Sequence, residues 1–243
     1  MLAHDPDRTA TSALLATAVQ DYSAAHAAPT SAAVAAIRSM LFSWLTELMC
    51  DALAAKLLGP SFLLTSFAFG APFGPLDASD THPPSALRAD LLLSQLNAAG
   101  WSPVLDGYLP VTRTWMAASA AVPLSPTTPG YFRHLADVMR HLRDVIPVRA
   151  EYHLGSKAFD AGEFAKVDVE LGELLSAGVL PVQLLDGSPI ARPCIILAGW
   201  LHQFATQGDD PGTLIAATTE GDNQRFLAKA LEMSVVLENW NRL

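Results

Sequence analysis

Apolar side chains between residues 32 and 58 recur at spacings of three, four and seven, through Trp44, Leu48, Ala55 and Leu58. This is the pattern of a helix with a core-facing stripe. The other faces of the same segment are apolar too, so the pattern predicts a central helix enclosed by protein. Thr30 or Ser31 can cap its start, and Gly59-Pro60 ends it. Upstream, the Ala-rich stretch 10–28 reads as a helix that Pro29 closes.

Downstream of Pro60 the pattern predicts a short helix over SFLLTSFAF, then a turn-rich loop over 70–82. Pro83 and Pro84 sit where a first helical turn tolerates proline, and the following helix runs to Gly100. Pro103, Pro110, Pro123, Pro126 and Pro129 mark 101–130 as an irregular connection. It separates a region 1–100 from a helical region 131–243 packed on it. Within the latter, amphipathic or buried helices are expected over 131–146, 159–177, 194–206 and 222–241, a loop over 181–193, and no clear state for 147–158. No run of alternating strands appears, so the expected class is all-α, an irregular helical bundle around the central helix.

Composition narrows the function. Apolar residues make up 51% of the 243 residues and charged residues 16%, enough to bury a large core. The formal net charge of −9 repels a nucleic acid backbone, and no Lys/Arg cluster offsets it. A signal peptide is not apparent in the charged start MLAHDPDRTAT. The apolar window 40–73 is broken by Glu47, Asp51, Lys56 and Gly59-Pro60, whereas a bilayer span needs about 20 apolar residues. The expectation is a cytoplasmic protein with no transmembrane span, in which Cys50 and Cys194 are reduced, buried thiols.

The chemistry concentrates in the central stretch. Glu47 and Asp51 are four residues apart and share a helix face. Two carboxylates on a buried face need compensation from a metal ion, an arginine or a proton. An ion pair with Arg88 or Arg38 is the plainest solution. Beyond the loop, Thr81-His82-Pro83-Pro84 places an imidazole in a stretch stiffened by proline, with Arg88 on the helix behind it.

Glu47-x-x-x-Asp51-x-x-Ala54 followed by Thr81-His82-Pro83-x-x-x-x-Arg88 resembles the second half of a gluzincin zinc metallopeptidase of the heat-shock and CaaX-prenyl-protease type. The resemblance covers about 50 residues. It implies that Glu47 is the third zinc ligand and that Asp51 orients a ligand histidine. His82 would face a peptide substrate and stabilise the oxyanion, and Arg88 would brace the site. The family's HExxH helix, which supplies two zinc ligands and the general base, does not occur here. The seven histidines are His4, His26, His82, His134, His141, His153 and His202, and no two are four apart. The expectation is therefore a degenerate relative, or a chain that lost its catalytic helix before Met1. It would hold little or no zinc and hydrolyse no peptide by itself. The competing reading is a non-catalytic helical interaction or scaffold protein, in which Glu47, Asp51, His82 and Arg88 form a buried polar network. A third is an independent metal site on Glu47, Asp51 and His82, whose oxygen-rich donors would favour a harder ion than zinc.

Other candidates read as structural. His134 and His141, beside Arg133, Arg140 and Arg143, suggest a solvated basic face. Asp168, Glu170 and Glu173 suggest a solvated acidic one.

Overall fold

A computed structural model describes residues 6–64, 78–108, 110, 113–114, 117, 124–154, 158–207 and 231–232. Its helices are α1 (Pro6–His26), α2 (Thr30–Leu58), α3 (Ser85–Ala98), α4 (Ser102–Tyr108), α5 (Gly130–His141), α6 (Val145–Leu154), α7 (Ala161–Ser176) and α8 (Arg192–Gln207). The fold is all-α. The described residues form no strand beyond one isolated bridge between Gln183 and Pro189, inside the expected 181–193 loop. By internal contacts the chain divides into two compact units. The first is Met1–Leu53, Pro75–Leu93 and Met116–Gly155; the second is Ala54–Gly74, Ser94–Trp115 and Ser156–Leu243. The division interleaves segments and does not follow the order 1–100, 101–130, 131–243.

The first unit packs α1, α2, α3, α5 and α6 around one apolar cluster. Ala18 of α1 meets Ile37, Met40, Trp44, Leu48 and Ala52 of α2, with Leu87 and Leu91 of α3. Tyr131, Phe132, Leu135, Ala136, Val138 and Met139 of α5 complete it, with Ile146 and Ala150 of α6. Helix α5 is strongly amphipathic, so its apolar face is buried and Arg133 and Arg140 are turned outward. Helices α1 and α5 run antiparallel, because His26 meets Tyr131, Asp21 meets His134 and Thr11 meets His141 in reverse order along the two chains. The joint between α1 and α2 closes in a Schellman arrangement. The Ala28 N–H donates to Ser23 O at 3.1 Å, and Ala27 takes the left-handed position with φ 48°.

In the second unit, Gly59 (φ 56°) ends α2 and lets Trp101 and Phe159 close over it. A Cβ at residue 59 would lie 2.9 Å from Trp101 Cζ2, so glycine is required by both conformation and space. Trp101, Phe159 and Phe164 form a ring cluster with centroids 4.8–6.4 Å apart. The Phe159 N–H donates to Lys56 O at 2.7 Å, which satisfies a carbonyl at the end of α2. Asp160 caps α7 by accepting from the Glu163 N–H at 3.0 Å. Helix α8 packs on α7 with Cys194, Ile195, Leu197, Ala198 and Leu201 buried.

Several expectations are corrected. Helix α2 is buried along one stripe only: Val34 and Phe42 are 49% and 73% exposed. Apolar residues on every face cannot say which face a core will cover. Cys50 lies on the outer side of α2 and is exposed, not buried. The Pro-rich connection contains α4, with Pro103 in its first turn where the missing N–H costs nothing. The helix expected over 131–146 stops at His141, and the first part of the ambiguous 147–158 belongs to α6, which ends at Leu154. The described part of SFLLTSFAF is helical to Leu64. Apart from residues 231–232, which are helical, the stretch 222–241 lies outside the described residues. Among the described residues, α2 is long and apolar enough to cross a membrane by length and composition. Its inner stripe, however, belongs to the core of the first unit.

Candidate functional site

The site is built where the first turn of α3 crosses α2. Pro84 opens that turn, its carbonyl accepting from the Leu87 and Arg88 N–H groups at 3.0 and 3.2 Å. This sets Leu87 into the core and swings Arg88, the next residue, across the surface of α2. Arg88 Nε donates to Asp51 Oδ2 and Nη2 to Asp51 Oδ1, both at 2.7 Å. This is a bidentate, charge-assisted pair. The Asp51 side chain is 7% exposed and that of Arg88 32%. Glu47, one turn back on α2, approaches Arg88 Nη1 at 3.9 Å and is 36% exposed. The hydrogen bonds to Asp51 raise the Arg88 pKa against the opposing effect of burial, with the charges of Asp51 and Glu47 adding to the rise. The guanidinium is thus a fixed cation, and Asp51 is its committed partner.

The loop before α3 is fastened to α2 about two turns away from that pair. Trp44 Nε1 donates to Ser79 O at 2.8 Å. The Ser79 N–H in turn donates to His82 O at 3.0 Å, and the His82 N–H to Ser79 Oγ at 3.0 Å. The His82 ring is exposed and contacts Thr81 Oγ1 at 2.7 Å. It makes no hydrogen bond to Glu47, Asp51 or Arg88. Of the four residues singled out in the sequence, the structure therefore joins Glu47, Asp51 and Arg88 and leaves His82 in a local turn. Arg38, the alternative partner, is on the exposed face of α2.

Both Asp51 oxygens are taken by Arg88, whose positive charge also stands beside Glu47, so a metal ion at Glu47 would face a cation already in place. Among the described residues no group of three or more His, Cys, Asp or Glu is arranged to hold a metal. The same geometry counts against a harder ion shared by Glu47, Asp51 and His82.

Sequence reasoning missed the seam between α1 and α5. His134 Nε2 lies 3.3 Å from Asp21 Oδ2, and His141 Nδ1 3.5 Å from Thr11 Oγ1. The arginines beside them are engaged as well. Arg133 donates to Ser125 O and Pro126 O at 3.0 and 2.8 Å, Arg140 to Asp137 at 2.7 Å, and Arg143 approaches Asp90 at 3.9 Å. The arginines lie on the solvated basic face that was expected, and only His134 and His141 reach the seam with α1. Glu170, expected to be solvated, accepts from the Leu185 N–H.

Compared with known proteins, the chain matches no family model, no curated protein and no solved structure.

Proposed function

We propose that this chain is a non-catalytic helical interaction or scaffold protein, the reading that competes with the metallopeptidase resemblance. In this reading the Glu47–Asp51–Arg88 cluster locks α3 onto α2. The observation that carries it is the two-pronged grip of Arg88 on Asp51. A carboxylate whose two oxygens are both held by a guanidinium is poorly placed to orient a ligand histidine. The exposed side chains Val34 and Phe42 on α2, and Val148 and Tyr152 on α6, suit a protein that works through its surface. A reducing, cytoplasmic setting accords with two free cysteines.

The test is zinc titration by calorimetry together with hydrolysis of an unstructured polypeptide substrate, on the full chain and on Glu47→Ala. The expected result is no stoichiometric zinc uptake and no turnover in either. Tight one-to-one zinc binding that Glu47→Ala abolishes would overturn the reading.

A second reading is favoured by the partial exposure of Glu47 and its loose approach to Arg88. In it, Glu47 completes a zinc site when an HExxH helix is supplied by another polypeptide, and peptide hydrolysis follows only in that complex. Adding a zinc-loaded HExxH peptide to the chain, with and without Glu47→Ala, separates this reading from the first.

A further inference from the structure

We propose that the joint between α1 and α2 is a hinge through which two copies of this chain exchange their α1 helices, forming a domain-swapped dimer. The joint is the three-residue stretch 27–29 between His26 and Thr30. It holds Ala27 at φ 48°, the one non-glycine residue with positive φ among the described residues. An alanine there sets its Cβ against the neighbouring carbonyl, a strain that disappears when the joint opens. Short strained joints of this kind favour exchange. Pro29 keeps the opened joint from becoming a straight continuous helix, since it lacks an N–H and its ring would collide with the Ala25 carbonyl.

Apart from the Ser23–Ala28 hydrogen bonds that close the joint itself, α1 is held by elements that follow the joint. Asp21 pairs with His134, Thr11 with His141 and His26 with Tyr131. Ala18, with Leu14, Leu15, Val19 and Tyr22, packs into the core of the first unit. A copy of α1 donated by a second chain reproduces each of these contacts unchanged, so exchange loses none of them.

The structure also provides a surface for the dimer. In a twofold swapped pair the two joints pass close to each other, which brings the first turns of the two α2 helices together. Those turns carry an open groove lined by Ser31, Val34, Ala35, Arg38, Ser39 and Phe42. Ser31, Ala35 and Ser39 recur every four residues, so two helix backbones can approach closely between the exposed Val34 and Phe42 side chains. The occupant of this face is therefore the second copy, which the joint itself delivers.

Light scattering of the full chain across a wide concentration range tests the proposal. A dimer fraction that rises with concentration and exchanges slowly is expected. Ala27→Gly, which removes the strain from the closed joint, should lower that fraction severalfold. Ala27→Pro, which cannot adopt positive φ, should raise it. Phe42→Ser should weaken the dimer while leaving the monomer folded by circular dichroism. A Thr11→Cys/His141→Cys chain that also carries Cys50→Ser, which removes the exposed native thiol, should give a covalent dimer on a non-reducing gel when the dimer fraction is oxidised. A chain that stays monomeric throughout overturns the proposal. So does a dimer that Phe42→Ser abolishes, Ala27→Gly leaves unchanged and oxidation links only within each chain, which is a face-to-face dimer without exchange. If Ala27→Pro does not fold, the Ala27→Gly and cysteine-pair results decide.

Discussion

Asp21 of α1 sets its carboxylate directly over Gly130, the first residue of α5, so closely that a Cβ there would overlap Oδ2. Helix α5 has no acidic residue in its first turn, and Pro129 before it offers no side-chain cap. The negative charge that favours a helix N-terminus is supplied from the neighbouring helix instead. Gly130→Ala should push the partly exposed Asp21 carboxylate aside and destabilise the protein by about 1 kcal/mol or less, below the range for overpacking a core. Adding Asp21→Ala should restore part of the loss, because the two changes share one contact. Denaturant melts of the two single variants and the double variant measure this; strict additivity would show that the close approach is not what fixes the register of α1 on α5.

Arg88 ranks the two acidic residues of α2. Asp51→Ala removes both hydrogen-bond acceptors of a part-buried guanidinium and should cost about 2–3 kcal/mol, discounted from the range for fully buried pairs because a third of Arg88 is exposed. Glu47→Ala removes a half-exposed charge at 3.9 Å and should cost less than about 1 kcal/mol. Urea melts of the two variants check the order. A larger loss for Glu47→Ala would contradict the structural role given to the Asp51–Arg88 pair.

The cysteines should behave in opposite ways. Burial pushes the Cys194 thiol up to about 12, with the charge of Glu163 acting in the same direction. Thiol alkylation near pH 8 should label the exposed Cys50 quickly and Cys194 only on unfolding. A thiol whose pKa is higher folded than unfolded releases its proton more readily in the unfolded chain. Its contribution is fully present below about pH 9, the usual thiol value, and is lost as pH rises toward about 12. Between pH 8 and pH 10.5 the wild-type chain should therefore lose more stability than Cys194→Ala does. Equal losses in pH-dependent melts would show that the thiol is not shielded.

At the end of α2, Gly59→Ala meets two obstacles together: positive φ, and Trp101 Cζ2 2.9 Å from the added methyl. A loss of about 2–4 kcal/mol is expected, the sum of a left-handed alanine and a displaced ring. Thermal melts with near-ultraviolet dichroism, which reports the Trp101–Phe159 packing, would show it.

The acidic pair and its arginine were legible in the sequence because a helix repeat fixes which side chains share a face, and because buried carboxylates demand a counter-charge. Helix ends at Gly59, Gly100 and Gly178 were legible for the same local reason, since each adopts positive φ. The position of His82 was not. Prolines stiffen the chain around it, but the direction of the ring is decided by its hydrogen bond to Thr81. Nor was the pairing of His134 with Asp21, 113 residues away in the chain, because periodicity assigns a face to a helix without naming the helix that covers it. The outer side of α2 escaped for a related reason: its apolar residues look alike in sequence, and only packing separates Trp44 from Phe42.

Trp44 and Trp101 are both shielded from solvent, and each belongs to a different unit of the chain. Trp44 stacks on Phe132 with 9° between the ring planes, while Trp101 is tilted against Phe159 and Phe164. Each half of the molecule thus carries its own optical gauge. Chains in which Trp44 or Trp101 is the sole survivor of the five tryptophans would report, by the colour of their emission, whether the halves melt together or in turn.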